Sequence, residues 1–160
     1  VKGHGFSCHA CVLRPHSKGS VRLHDGDAQS APAIDPNFLD DDRDIATLRK
    51  GVRHMKRILE TPPLTEYSPT DRHPINIDDD AELDALIRSR ADTVYHPVGT
   101  CRMGADDAAV VDSRLKFRGL EGLYIADASI MPEIISGNTN APSIMIGERA
   151  AEFIEADLAG

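Results

Sequence analysis

The sequence predicts an α+β fold: a mixed, largely antiparallel sheet backed by helices, with a C-terminal strand–loop–helix forming a separate unit. Three observations predict it. Apolar residues recur at spacings of three and four over residues 41–60, and a shorter apolar face fits 79–90, as expected of helices with one buried stripe. Short runs at 3–13, 20–23, 92–95, 110–111 and 123–126 have strand character. A third helical stretch, 141–158, carries its proline, Pro142, in the first turn, where a missing N–H costs little.

Residues 3–13 alternate loosely, placing Phe6, Cys8, Ala10 and Val12 on one face of an expected strand. Residues 20–23 suit a second short strand after the Lys18-Gly19 turn, and 25–37, rich in Asp, Gly, Pro and Ala, read as loop. In the first helix Ile45, Leu48, Val52, Met55 and Leu59 form the stripe. Asp40 to Asp42 supply the N-cap, Lys56 and Arg57 suit the negative end, and Pro62-Pro63 stops it. Residues 64–77 have no clear period. The second helix is expected to be capped by Asp78, with Leu83, Leu86 and Ile87 inward, and in the last one Ile144, Met145, Ala151, Phe153 and Ile154 supply apolar surface.

Composition narrows the function classes. Apolar residues make up 41% and charged residues 28%, the balance of a globular domain with a core. Lys plus Arg total 18 against 26 Asp plus Glu, a formal charge of -8, which argues against nonspecific nucleic-acid binding and gives no basic stripe for an anionic membrane. No apolar run approaches the roughly 20 residues of a membrane span. Three cysteines do not suggest a disulfide framework, and a cytoplasmic setting is the simplest expectation. Cys8-His9-Ala10-Cys11 has C-x-x-C spacing, but on a strand its two thiols point to opposite faces, and no second pair follows, so no metal is expected. Cys101 is expected to pack as a small apolar side chain. The chain starts at Val1, without an initiator methionine, and is expected to be a segment of something larger.

Two stretches carry the chemistry: residues 95–104 (YHPVGTCRMG) and 122–148 (GLYIADASIMPEIISGNTNAPSIMIGE), joined by VVDSRLKFRGLEG. Upstream stand Arg14-Pro15-His16-Ser17-Lys18-Gly19-Ser20-Val21 and Asp35-Pro36-Asn37-Phe38-Leu39. Taken together, from about Leu13 to Ile154, they closely resemble the C-terminal part of the glucose-methanol-choline (GMC) oxidoreductases, the choline dehydrogenase and choline oxidase branch most of all.

That resemblance implies an FAD-dependent oxidation of an alcohol, with hydride passing to flavin N5. The substrate hydroxyl must lose a proton as the hydride leaves, and a histidine suits that task near neutral pH. By motif the base is His96, which Pro97 biases toward an extended backbone. Taken alone, a histidine at such a turn is more often a hydrogen-bonded structural residue, and the surrounding motif reverses that reading. The second partner is Asn138, six residues after Pro132, whose amide donates toward the substrate oxygen. The rival is Asn140, placed by the resemblance on the flavin side as N-cap of the last helix, although both asparagines also sit in turn-forming dipeptides. The positive end of that helix would face the flavin, with Thr139, Asn140 and Ala141 as main-chain donors. Asp127 would contact the ribityl or pyrophosphate part of FAD and Ala128 N–H a phosphate, the alternative being that Asp127 caps a turn.

The chain lacks the G-x-G-x-x-G fingerprint that holds the ADP half of FAD, since GHG at 3–5 and GLEG at 119–122 have the wrong spacing. The resemblance thus implies that residues 1–95 belong to a substrate-binding domain, that 96–160 are a catalytic loop and a segment returning to the FAD domain, and that the N-terminal dinucleotide-binding domain is missing. Expected partners are a small-molecule alcohol, that missing domain and, through uncovered apolar surface, a second copy of the chain. Two classes stay open: a piece of an FAD-dependent alcohol dehydrogenase or oxidase, or a stand-alone, catalytically inactive binding module of the same fold.

Overall fold

A computed structural model describes residues 4–159. In chain order its elements are β1 (Ser20–Arg22), β2 (Ala33–Asp35), α1 (Asp42–Leu59), α2 (Asp80–Arg90) and α3 (Asn140–Ala159), with 3-10 turns at Leu64–Tyr67 and Ala128–Ile130. The fold is α+β, and two compact units divide it. One holds the residues up to Gly19 together with Pro36–Val94; the other holds Ser20–Asp35 and the residues from Tyr95 onward. Among the described residues no helix is long and apolar enough to cross a membrane.

The first unit is built on α1 and α2. Asp41 caps α1 by accepting from Arg43 N–H, and Asp42 and Asp44 occupy the first turn, where negative charge meets the positive helix end. The expected stripe faces inward: Ile45 packs with Leu83 and Ile87 of α2, and Leu48 and Val52 close the cluster. Arg49 pairs with Asp84 and Arg53 with Asp80 across the two helices. The cap of α2 is Asp79, not Asp78: Asp79 Oδ1 accepts from Ala81 and Glu82 N–H at 2.8 and 3.2 Å, whereas the N–H of Asp78 donates to the Asn76 side chain. Three consecutive aspartates offer three possible caps, and the backbone turn at Asn76 decides among them.

The expected strand over 3–13 does not form among residues 4–13; Gly3 lies outside the described residues. The alternation does set a face, since Cys8, Ala10 and Val12 are half-buried and Phe6 is exposed. A strand also needs a ladder partner, and this segment packs instead on a helix: a Cβ added at Gly51 of α1 would stand 2.8 Å from Ala10 Cβ. Farther along, Asp44, only 2% exposed, gathers the RPHSKG segment. Its carboxylate accepts from His16 N–H at 2.9 Å, Ser17 N–H at 2.9 Å and Ser17 O–H at 2.6 Å, and Ser17 Oγ in turn accepts from Asp41 N–H at 3.0 Å. Burial alone would push Asp44 up. The bonds from the Ser17 hydroxyl and the two main-chain N–H groups outweigh it and hold its carboxyl below the usual range.

In the second unit β1 and β2 pair antiparallel, with Ser20 opposite Asp35, Val21 opposite Ile34 and Arg22 opposite Ala33. β2 falls inside the stretch read as loop; three residues between Pro32 and Pro36 are too few to show a period. The broad sheet expected from the sequence is, among the described residues, this two-stranded sheet plus isolated bridges, Met103 with Val111, Val111 with Phe117 and Lys116 with Tyr124. The expected strands at 110–111 and 123–126 survive only as those bridges. The positive φ of Leu115 (66°) breaks the path before a ladder can extend. Residues 92–95 form no strand, and Tyr95, at φ 62°, turns the chain.

α3 covers the expected range. Ile146 and Ala150 face the core with Val111, Leu115, Ile130 and Met131, and Phe153 packs against it. Ile144 and Met145, part of the apolar surface expected of this helix, are 60% and 54% exposed. Apolar residues on more than one face of this helix made its inward face ambiguous in the sequence.

Candidate active site

The site is assembled within the second unit by one short backbone junction. The segment 99–103 lies along residues 129–130: Cys101 N–H donates to Ser129 O at 3.0 Å and Met103 N–H to Ile130 O at 2.8 Å. Ile130 and Val111 are fully buried there and anchor it in the core. His96 stands just before this junction and Asn138 just beyond it. The structure brings the two together: Asn138 Nδ2 lies 3.3 Å from His96 Nε2, across 42 residues of sequence. An amide nitrogen donates, so Nε2 is the acceptor in this pairing. His96 is half-buried and Asn138 exposed.

Three residues around the pair hold φ angles uncommon outside turns. Tyr95 precedes His96 at φ 62°, Gly99 follows at φ 90°, and Ser136 precedes Asn138 at φ 66°. Neither Tyr95 nor Ser136 carries a sequence signal for this; Gly99 does, because glycine reaches positive φ without steric cost.

Asp127 caps the 3-10 turn at Ala128–Ile130, its Oδ1 accepting from Ser129 N–H at 2.7 Å. One carboxylate oxygen is therefore spent on holding Ser129 in place, and Asp127 remains exposed. Thr139 and Asn140 stand at the start of α3, but the cap position falls on Thr139 rather than Asn140. The helix begins at Asn140, and Thr139 O accepts the first bonds, from Ser143 N–H at 3.0 Å and Ser143 O–H at 2.7 Å.

The start of α3 is open to a polar or anionic group. Asn140 and Ala141 offer main-chain N–H groups with no intrahelical partner, and Pro142 has none to satisfy. The first turn of α3 carries no acidic side chain, so nothing in the helix itself neutralises its positive end. Among the described residues no group of three or more His, Cys, Asp or Glu is arranged to hold a metal ion, and Cys8, Cys11 and Cys101 are free thiols.

A cluster at the other end of α3 has a holding role. Asp157 receives Lys116 at 2.7 Å, the Tyr124 hydroxyl, and Arg114 at 2.9 Å. These groups, Lys116 foremost, keep its carboxyl well below the usual range, while Asp157 raises the Tyr124 hydroxyl. They tie the last turns of the helix to the 114–124 segment.

The His96–Asn138 pair thus stands next to the start of α3, whose first turn carries no acidic side chain. The chain belongs to the GMC oxidoreductase family, whose model it matches over residues 15–147. It is 46% identical over 153 residues to an alcohol dehydrogenase (acceptor) of Pseudomonas putida, covering 95% of this chain and 28% of that protein. It is 46% identical over 155 residues to an oxygen-dependent choline dehydrogenase of Klebsiella pneumoniae, covering 96% and 28%. Among solved structures, formate oxidase of Aspergillus oryzae RIB40, in a variant studied for FAD modification, superposes with a TM-score of 0.83 at 30% identity, over 91% of this chain and 26% of that one. An FAD-dependent oxidoreductase from Chaetomium thermophilum does so with a TM-score of 0.85 at 28% identity, over 92% and 26%. The chain thus spans about 28% of the length of these curated relatives.

Proposed function

We propose that this chain is part of an FAD-dependent alcohol oxidoreductase, choline-dehydrogenase-like, in which His96 is the general base and Asn138 its partner on the substrate oxygen. The observation that carries the reading is the 3.3 Å approach of Asn138 Nδ2 to His96 Nε2. It leaves the basic lone pair of Nε2 and an amide N–H aimed at one small volume. An alcohol oxygen entering there displaces the amide–imidazole bond: its proton goes to Nε2, and the developing negative charge is met by Asn138. FAD, when bound, takes the hydride from the alcohol carbon. Asn140 and Ala141 N–H would hold its polar edge at the start of α3, with Thr139 fixing that start, and Asp127 and Ala128 would face its ribityl and phosphate part.

In this reading residues 1–95 belong to the substrate-binding domain, and 96–160 return to the FAD domain, whose nucleotide-binding portion lies in further polypeptide. Leu123, Ile144, Met145 and Leu158 are exposed on the second unit and would supply the surface that such polypeptide covers. The free thiols suit a reducing compartment such as the cytoplasm.

The test is anaerobic stopped-flow reduction of the flavin-loaded polypeptide by saturating choline and a panel of primary alcohols. His96→Ala should slow reduction by roughly 100-fold or more with flavin still bound. Asn138→Ala should slow it less, and the double variant should lose less than the product of the two. Asn140→Ala should weaken flavin retention before it touches the rate. Unchanged reduction in His96→Ala would sink the reading, and a larger loss in Asn140→Ala than in Asn138→Ala at equal flavin content would exchange their roles.

A further inference from the structure

We infer that Gly99 is the positioning residue of the His96–Asn138 pair: its turn, held by main-chain bonds on one side and without them on the other, sets where the imidazole stands. The inference rests on the role proposed above for His96. Gly99 has φ 90°, where an L side chain is strained, and a Cβ added there would stand 3.4 Å from Met131 O and 3.8 Å from Pro132 O. Those carbonyls belong to the segment that leads to Asn138, so the turn is seated directly against the other half of the pair.

The two sides of Gly99 differ in how they are held. Downstream, Arg102 N–H closes the turn on Gly99 O at 3.2 Å, and Cys101 and Met103 are bonded to Ser129 O and Ile130 O at 3.0 and 2.8 Å over a fully buried Ile130. Upstream, residues 96–98 make no backbone–backbone hydrogen bond among the described residues, and the side chain of Val98, not its main chain, meets the core. A side chain at 99 drives φ toward negative values. The locked side cannot absorb that rotation without breaking main-chain bonds over the core, so His96 moves. A shift of about 1 Å in a reacting group is enough to cost about 100-fold in rate.

Gly122 supplies the control. It also has a positive φ, 72°, but no atom lies within 4 Å of a Cβ built there, and it stands outside the site. Gly122→Ala therefore carries the same kind of backbone cost without touching the junction. The first measurement needs no cofactor: the ring-nitrogen resonances of His96 in the 15N-histidine-labelled chain. Asn138→Ala should shift Nε2 by removing its donor. Gly99→Ala should reproduce that shift, while Gly122→Ala should leave the parent spectrum. In the flavin-loaded polypeptide Gly99→Ala should lower the reduction rate at saturating alcohol about 10- to 100-fold, with alcohol affinity and flavin content unchanged. Should Gly99→Ala fail to fold, Gly99→Asn, which tolerates positive φ better, carries the same test. A parent-like His96 spectrum in the position-99 variant, or an equal shift in Gly122→Ala, overturns the inference. Failure of His96→Ala to slow reduction overturns the proposed function, while the spectra still decide whether Gly99 places the ring.

Discussion

Asp44 is the most exposed point of failure in the first unit, although it is among the least exposed residues. Replacing it with Ala removes the acceptor of three hydrogen bonds, from His16 N–H, Ser17 N–H and Ser17 O–H. Bonds to a charged group contribute about 1.5–3 kcal/mol each, but three on one carboxylate are not additive. Two main-chain N–H groups lose their partner, and Ser17 Oγ, freed, holds Asp41 N–H less firmly. The loss should be about 3–5 kcal/mol, the range for removing one side of a buried charged network. Asp44→Asn keeps one acceptor oxygen but turns an amide N–H toward donors, and should cost about 1–3 kcal/mol. Urea unfolding followed by circular dichroism measures both. The pH dependence gives an independent check. Because the folded carboxyl titrates below its ordinary value of 3.8, the unfolded chain takes up the proton first. The contribution is complete above pH 3.8 and disappears as pH falls through the folded pKa, so the gap between parent and Asp44→Asn should narrow only below about pH 4. A loss under about 0.5 kcal/mol in Asp44→Ala, the level of an ordinary surface substitution, would refute the account of this clip.

Two further outcomes concern the chain by itself. It should purify without flavin, because it offers the helix start but no G-x-G-x-x-G turn for the ADP half; stoichiometric flavin absorbance after gel filtration would contradict that. It should also self-associate through Ile144, Met145 and the 123–126 segment, and replacing Ile144 and Met145 with Lys should shift it toward monomer in analytical ultracentrifugation; a parent that stays monomeric at high concentration with α3 formed would count against this.

Helices were legible in the sequence because their signals are local and redundant. In α1 the stripe, the acidic start, the basic end and Pro62 all agree, and the observed helix lies within a residue of the expected one. Strands were not, because a strand is completed by a partner that the sequence does not name. Residues 4–13 alternate correctly and still form none, since the neighbour is Gly51 of a helix; Ala33–Asp35 shows no pattern and forms one, since Val21 lies opposite Ile34. The candidate pair could be nominated from motif spacing, but its geometry could not. Motif spacing nominated His96 and Asn138, and nothing local in either stretch tells how near they come. Their meeting depends on two main-chain bonds from Cys101 and Met103, and main-chain bonds leave no residue signature. The same holds for Asp127, where a turn cap and a ligand contact call for the same side chain.

The placement of strain in the second unit follows from what lies under it. Tyr95, Gly99 and Ser136 all take positive φ within three residues of His96 or Asn138. Non-glycine residues in that region cost of order 1–3 kcal/mol each, and persist where the surroundings over-determine them. Here the surroundings are Val111 and Ile130, without solvent contact, and the α3 residues Ile146 and Ala150 packed against them. The core thus sits beneath the junction, and Val98 extends it toward the loop that carries His96. Bulk in the core can hold a short rigid seam while the residues just outside it keep unfavourable backbone angles. That arrangement lets an exposed asparagine and a half-buried histidine hold one separation without a packed wall around them.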